Sequence, residues 1–175
     1  MNETIQAIEM RSSTRSYIDE KLTQEELDIL VKAGLQAPTA ANRQEIFFTV
    51  IDGKNPILQE IEDEKNRLNG SAPQTNFYYS APTVIIISAD KAMHWGFHDA
   101  GIAVENIALA AEALGLGSVI IGCIEGAMKG EKEAYFNSAL KLPENYEYSV
   151  AIALGHKAAS KEPHTFDAEK QVAYI

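Results

Sequence analysis

The chain alternates between stretches with a helical apolar period and short continuous apolar runs. The helical period is clearest after Thr23, where a capping-box spacing with Glu26 precedes apolar residues three and four positions apart. Gly34 lies inside this pattern and Pro38 follows it, and a proline disfavours helical backbone in the residue before it. We therefore predict a helix that begins after Thr23 and ends near Gln36.

Four short runs rich in β-branched and apolar residues predict strands. The second run is apolar almost throughout, without alternation, which is typical of a central strand covered on both faces. The first run ends in a turn at Asp52-Gly53. The four runs are Phe47–Ile51, Pro82–Ser88, Ser118–Ile121 and Tyr148–Leu154.

An initial helix before Arg11 and three helices between the strands complete the pattern. The three helices are expected at residues 56–68, 100–114 and 129–140, with a loop at 69–74. The helix at 100–114 is apolar almost all round, and Glu105 and Glu112 lie two turns apart on one face. A helix this apolar must be enclosed, either by its own chain or by a partner subunit.

This order of elements predicts one α+β domain over residues 1–175, with α/β as the alternative class, built on a mixed central sheet flanked by helices. A chain of 175 residues is long enough to bury a core without disulfide or metal cross-links. The last segment, Val172–Ile175, is strand-like but separate from the other strands. It is as well suited to pair with a neighbouring subunit as with its own chain.

Net charge and cysteine content exclude several classes of protein. The formal net charge of -10 argues against a nucleic-acid partner, because a polyanion would be repelled. A single cysteine, Cys123, allows no intramolecular disulfide and no multi-cysteine metal site. No apolar stretch reaches the ~18–20 residues of a membrane span, and residues 1–10 lack the apolar core of a signal peptide. We therefore expect a cytoplasmic protein with no membrane partner.

Residues 11–17 are the first candidate for a binding site. Two arginines, Arg11 and Arg15, enclose Ser12, Ser13 and a threonine in a chain with only 15 basic residues. A guanidinium presents a planar fork of donors that suits a phosphate, and hydroxyls can complete the shell. The alternative is a solvated polar stretch after the first helix. In a chain of net charge -10, however, an anionic ligand needs such a local patch.

Residues 37–44, with the sequence Ala-Pro-Thr-Ala-Ala-Asn-Arg-Gln, are the second candidate. Small side chains after a helix-ending proline let the backbone approach a planar ligand. Asn42 and Gln44 supply amide donors and acceptors. The alternative is an ordinary loop between a helix and a strand.

The two segments contain Arg-x-Ser-x-Arg-x-Tyr at 11–17 and Ala-Pro-Thr-Ala-x-Asn-x-Gln at 37–44. Further motifs follow in order: Ala81-Pro82-Thr83, Asp99-Ala100-Gly101, Gly115-Leu116-Gly117-Ser118 and Ala153-Leu154-Gly155-His156. This set and its order resemble the nitroreductase family of FMN-dependent oxidoreductases over nearly the whole chain. The chain departs from the family pattern at Glu45-Ile46, where many members have Pro-Trp.

The resemblance implies an FMN site. By it, Arg11, Ser12, Ser13 and Arg15 would bind the ribityl phosphate and one edge of the flavin. A late basic residue would also reach the phosphate. The late segment offers Lys157, Lys161 and His164, of which we select Lys161.

The resemblance also implies an intertwined homodimer with FMN at the interface, which would enclose the helix at 100–114. Gly122 and Cys123 would pass the reactive nitrogen of the flavin and donate a backbone N–H to it, and glycine suits so close an approach. The residues that would come from the other subunit to close over the flavin are Pro38, Thr39, Ala40 and Asn42.

The implied activity is a ping-pong cycle. NADH or NADPH would reduce the flavin by hydride transfer, and a nitroaromatic, quinone or similar acceptor would then be reduced in the same place. The flavin carries this chemistry and the protein orients it, so we name no catalytic side chain. The alternatives are a flavin-binding or flavin-sequestering module, and a specialised enzyme of the same fold without NAD(P)H-driven nitroreduction.

Two other features have ordinary structural explanations. His94 and His98 share a helix face but lack the acidic residue of a zinc motif, so we predict a helix start with exposed histidines and no metal site. Cys123 has no neighbouring base and no second cysteine. We interpret it as a small packing residue near the cofactor rather than a reactive thiol.

Overall fold

The computed structural model of the protein describes residues 2–70 and 76–175. Its helices are α1 (Glu3–Met10), α2 (Gln24–Leu35), α3 (Pro56–Asn69), α4 (Gly96–Ala113), α5 (Glu125–Met128), α6 (Glu133–Ala139) and α7 (Ala168–Gln171). Its strands are β1 (Ile46–Asp52), β2 (Thr83–Asp90), β3 (Leu116–Ile121) and β4 (Tyr146–His156). Most of the loop expected at 69–74, namely residues 71–74, lies outside the described part of the chain.

The four predicted strands are confirmed, with ends shifted by one or two residues. They form one sheet in the order β1-β2-β4-β3. The α+β class is confirmed with one difference: neighbouring strands pair antiparallel rather than in a mixed arrangement. The chain crosses from β2 through α4 to β3, and β2 and β3 run in the same direction. The later strand β4 inserts between them, so each pairs with β4 and not with the other.

The helix predictions are confirmed except between β3 and β4. The capping box at Thr23 is formed, with the Thr23 backbone N–H donating to Glu26 and the Glu26 N–H donating to the Thr23 hydroxyl. The single helix predicted for residues 129–140 is wrong. The chain forms α5 and α6 instead, and the break between them contains Gly130, which is a poor helix former.

Strand β2 has a core on each face, as its unbroken apolar run predicts. Val84 and Ile86 pack with α3, α5 and α6, whereas Ile85 and Ile87 pack with α2 and α4. All four side chains are fully buried. Side chains alternate across a strand, so a strand with helices on both sides needs apolar residues at every position.

Helix α4 packs against the sheet and α2 on one side and lies beside α1 near its C-terminal end, but part of its surface stays uncovered. Ala103, Ile107 and Ala111 are fully buried against the sheet and α2. On the opposite side Gly101 and Ile102 are exposed. The sequence predicts that so apolar a helix is enclosed by its own chain or by a partner. The single chain leaves the surface around Gly101 and Ile102 uncovered.

No helix in residues 2–70 and 76–175 is both long enough and apolar enough to cross a membrane. The strand-like end of the chain, Val172–Ile175, forms no strand here and is exposed.

The carboxylate of Glu64 connects α3 to the start of α6. Arg67 Nη2 lies 2.6 Å from Glu64 Oε1, and Lys132 Nζ lies 3.0 Å from Glu64 Oε2. These two side chains cover Glu64, which is only 1% exposed. The hydrogen bonds from Arg67 and then Lys132 hold the pKa of Glu64 at about 2.

Replacing Glu64 with glutamine should lower the free energy of unfolding at neutral pH by about 1–3 kcal/mol, because two charged donors lose a charged acceptor. The pKa of Glu64 in the folded protein lies below its ordinary 4.5, so the advantage of the wild type is complete above pH 4.5. It then disappears as the pH falls toward 2.

Urea unfolding of both proteins across this pH range measures the difference. Glu131→Gln is the control, because Glu131 also contacts Arg67 but has an exposed carboxylate and should contribute little. A constant difference between wild type and Glu64→Gln at every pH would contradict the assignment.

Candidate functional site

Residues 12–17 run beside the outer edge of β3 and the end of β4. Ser13 forms a parallel bridge with Ser118 at the start of β3, and the Thr14 N–H donates to the Ser118 carbonyl at 2.8 Å. Tyr17 forms an antiparallel bridge with Lys157, just after β4. The segment that carries Arg11 and Arg15 is therefore fixed to two strands and is not a free polar stretch.

A glycine makes this arrangement possible. A Cβ on Gly117 would lie 2.7 Å from two side-chain atoms of Thr14, which is buried. The Tyr17 hydroxyl adds a contact from the other end of the segment, 3.0 Å from the Thr14 carbonyl and 3.2 Å from the Ala153 carbonyl. Burial raises the pKa of Tyr17, so its hydroxyl keeps the proton that it donates.

Two cations at this end of the sheet are paired with acids of α4. Arg11 Nε lies 3.5 Å from Glu105 Oε1, and Lys157 Nζ lies 2.7 and 2.8 Å from the two oxygens of Glu112. The two glutamates lie seven residues apart, about 10 Å along the helix. The guanidinium of Arg15 is exposed, 5.9 Å from the ring centre of Tyr79. Guanidinium, ammonium and hydroxyl groups such as these, with those of Ser12 and Ser13, are the kinds of donor that suit a phosphate.

The structure brings Lys157, not Lys161, to the segment 12–17. Besides the Tyr17 bridge, the N–H of the next residue, Ala158, donates to the Ser16 carbonyl at 3.1 Å. Lys161 lies in the exposed stretch that follows, and its role stays a prediction. The sequence offers Lys157 as one of three late candidates but does not favour it, because the predicted last strand ends at Leu154 and the bridge of Lys157 to Tyr17 lies beyond that end.

The second candidate segment, residues 37–44, is a tightly held loop. Ala40–Asn42 form one turn of 3₁₀ helix. The Gln44 N–H donates to Thr39 Oγ1 at 2.9 Å, and the Gln44 side-chain amide donates to Asn42 Oδ1 at 3.1 Å. Ala41, Asn42 and Gln44 have φ values of 53°, 53° and 57°. This left-handed backbone costs free energy in residues other than glycine, about 1–3 kcal/mol each for ordinary residues.

Asp99, in the first turn of α4, holds this loop in place. Its two oxygens lie 3.1 and 3.2 Å from the backbone nitrogen of Ala40, which donates to them. An acid in the first turn also complements the helix dipole. Sequence reasoning missed the contact with Ala40 because 59 residues separate the two.

Gly122 and Cys123 follow β3 and are both exposed. Apart from its two chain neighbours, no atom of the described residues lies within 4 Å of the position of a Cβ on Gly122, so the backbone there faces open space. The hydroxyl of Tyr148 donates to the Ile121 carbonyl at 2.7 Å and fixes the end of the strand. Cys123 is exposed in the single chain, and its interpretation as a packing residue near the cofactor stays a prediction.

His94 and His98 are exposed, as predicted, and their rings pack edge-on against Trp95. Among the residues that the structure describes, no three His, Cys, Asp or Glu side chains come together as a metal site.

The segment 12–17 at the sheet edge and the strained loop at 37–44 both match a known sequence profile. The profile of the nitroreductase family covers residues 8–156. The chain belongs to the nitroreductase family. This result confirms the resemblance drawn from the motifs, and the matched region includes both segments.

Characterised and solved relatives are similar over most of their length. The chain is 29% identical to an FMN reductase [NAD(P)H] of Bacillus subtilis, over 93% of this chain and 70% of that protein. It is 28% identical to a putative NADH dehydrogenase/NAD(P)H nitroreductase of Archaeoglobus fulgidus, over 95% and 92%. A nitroreductase with bound FMN from Desulfitobacterium hafniense has a TM-score of 0.87 and 30% identity, over 100% and 99% of the two chains.

Replacing Gly117 with alanine should destabilise this nitroreductase by about 1–3 kcal/mol, because the added methyl group overpacks against buried Thr14. Chemical denaturation measures the loss. Gly126→Ala is the matched control, since a Cβ there would meet only Leu68, at 3.9 Å. Equal stability of Gly117→Ala and wild type would show that the close approach of Thr14 is not a constraint.

Proposed function

We propose that the protein is an FMN-dependent oxidoreductase that takes electrons from NADH or NADPH and reduces a nitroaromatic, quinone or similar acceptor. The observation that carries the proposal is the fixed cationic segment at residues 11–15, in a chain of net charge -10. Relatives named as FMN reductases and NAD(P)H nitroreductases, and solved neighbours with bound FMN, support the same function. Because it would use NADH or NADPH, we place the enzyme in the cytoplasm.

The residues present fit FMN in three respects. The guanidinium and hydroxyl groups of residues 11–15 supply donors for a phosphate. The open space beside Gly122 admits a planar ring next to backbone N–H groups. Strand β3 joins the two places, since Ser118, which holds the segment 12–17, lies four residues or about 13 Å from Gly122. This separation suits a ligand with a phosphate at one end and a ring system at the other.

We assign Arg11, Ser12 and Ser13 to the phosphate, Arg15 to the edge of the ring, and the backbone at Gly122 and Cys123 to its central nitrogen. When bound, FMN supplies transfer of two electrons between the nicotinamide and the acceptor. The protein binds and orients the ring and limits the access of water. It needs no side-chain acid or base of its own for this.

We also propose that the enzyme is a homodimer with the site at the interface. Helix α1 has no buried residue and exposes Ile5 and Ile8, and α4 exposes Ile102 on its open face. A second copy would cover these side chains. The strand-like residues 172–175 are free to pair with the partner. The residues that would reach the partner's FMN are Pro38, Thr39, Ala40 and Asn42.

Reconstitution tests the proposal. The purified protein, supplied with FMN, should retain a yellow chromophore and oxidise NADH or NADPH when a quinone or nitroaromatic acceptor is present. A colourless protein that takes up no FMN would overturn the proposal. Bound FMN without NAD(P)H oxidation across several acceptors would instead favour a flavin-binding module or a specialised enzyme of the same fold.

Replacing Arg11 with alanine should raise the Kd for FMN about 10- to 100-fold, or about 1.4–2.8 kcal/mol, because a charge-assisted phosphate contact is lost. The Kd for riboflavin, which lacks the phosphate, should change much less. Quenching of flavin fluorescence measures both constants. Lys141→Ala, which removes an exposed cation from a distant turn, should leave both unchanged. Equal losses for FMN and riboflavin in Arg11→Ala would show that Arg11 does not bind the phosphate.

The late phosphate cation can be identified by comparing Lys157→Met with Lys161→Met, since methionine keeps most of the apolar stem. The bridge to Tyr17 places Lys157 beside the segment 12–17. We therefore expect Lys157→Met to weaken the binding of FMN more than the binding of riboflavin. The resemblance implies a late basic residue without deciding which, and we select Lys161 from the sequence. A selective loss of FMN affinity in Lys161→Met alone would support that residue. The same fluorescence titration measures both variants.

A further inference from the structure

We propose that Asp99 is a positioning residue that holds the loop 37–44 of one subunit against the FMN of its partner. The inference rests on the proposed function and adds a residue to it. Asp99 would not touch the cofactor. It would act through the Ala40 backbone, with which both of its oxygens are in hydrogen-bond contact.

The loop has the properties of a preformed binding element. Three of its residues, Ala41, Asn42 and Gln44, adopt left-handed backbone although none is glycine. Residues 41–44 are all exposed in the single chain, so burial of their side chains does not impose this conformation. Strained backbone of this kind persists where surrounding contacts over-determine it, and it is concentrated at binding sites.

The contacts that impose the conformation lead back to the sheet. A Cβ on Gly96 would lie 2.8 Å from the Cβ of Ala89 in β2, so the start of α4 is pressed against that strand. Three residues later Asp99 is 9% exposed and accepts from Ala40. The Thr39 hydroxyl then accepts from the Gln44 N–H and closes the loop. Asp99 thus connects the rigid core to the start of the strained loop, and the contact of Arg43 Nη1 with Met93 Sδ at 3.6 Å adds a second, exposed link.

The position of the loop on α4 favours action on the partner. Asp99 lies in the first turn of α4, whereas Glu105 and Glu112, which contact Arg11 and Lys157, lie further along the same helix. They are six and 13 residues from Asp99, about 9 and 20 Å along the helix. A second copy that packs antiparallel on the open face of α4 would bring the loop of one chain to the cationic segment of the other.

The alternative is that Asp99 acts only through its charge, by complementing the dipole of α4, and two variants distinguish this from positioning of the loop. Asparagine removes the charge but keeps an oxygen that accepts from Ala40, whereas alanine removes both. If Asp99 positions the loop, Asp99→Asn should bind FMN nearly as well as wild type, and Asp99→Ala should raise the Kd and the FMN dissociation rate about tenfold or more. If only the charge matters, the two variants should lose affinity equally.

Thr39→Val provides an independent test that does not alter α4. It removes the hydroxyl that accepts from the Gln44 N–H and keeps the side-chain volume. Thr39→Val should also raise the Kd for FMN. The Kd of the double variant with Asp99→Ala should rise by less than the product of the two single increases, because both residues act through one loop. Asp63→Asn on the exposed side of α3 is the matched control and should bind FMN as wild type does.

A mixed dimer tests the action on the partner. Arg11→Ala and Asp99→Ala chains carrying different affinity tags are co-expressed, and the dimer with one of each is purified. If the loop acts across the interface, one site combines both defects and the other combines an intact Arg11 with an intact loop. Half of the sites should then bind FMN with wild-type affinity.

Each outcome bears on one statement. If wild type binds FMN and Asp99→Ala binds it equally well, Asp99 is not a positioning residue. Asp99 is likewise no positioning residue if Asp99→Asn is as weak as Asp99→Ala. A mixed dimer without a wild-type site places the loop and Arg11 in the same chain's site and overturns action on the partner. If wild type itself takes up no FMN, the proposed function fails. In that case the Ala40 amide of the apoprotein, which should exchange faster in Asp99→Ala than in Asp99→Asn, still tests the contact.

Discussion

The close approach of the N-terminal segment to the end of the sheet is the constraint on which the site depends. Gly117 and Gly155 face each other in the β3–β4 pairing, and neither position has room for a side chain. Thr14 fills the space beside Gly117, and Pro82 and Tyr17 fill the space beside Gly155. The segment between Thr14 and Tyr17 therefore packs directly against the backbone of β3 and β4 at Gly117 and Gly155. Arg11 and Arg15, on either side of Thr14, are attached to a segment whose position is fixed.

Helix α4 then organises the charges around that support. Glu105 near its middle contacts Arg11, and Glu112 at its C-terminal end holds Lys157. Asp99 in its first turn holds the strained loop. In a chain of net charge -10, cations that remain available to a phosphate must be kept in position by a few defined contacts. The same helix carries the open apolar face that a second copy would cover. One element thus links both parts of the proposed cofactor site to the proposed interface.

The sequence predicts the elements of this fold well because their signals are local. Continuous β-branched runs mark the strands, and the Thr23 capping box marks α2. The residue types at 11–15 and 37–44 likewise identify both candidate segments. The strand pairing was not predictable, because β4 inserts between two strands that precede it. The choice of Lys161 over Lys157 and the missed role of Asp99 have the same physical reason. The partners of Lys157 and Asp99, Glu112 and Ala40, lie 45 and 59 residues away along the chain.

Native mass spectrometry of the protein reconstituted with FMN can show whether two copies of the chain complete the site. We expect a dimer that carries two FMN molecules, and FMN-free monomers after dilution. FMN retained on monomers, or a dimer that takes up no FMN, would contradict this expectation.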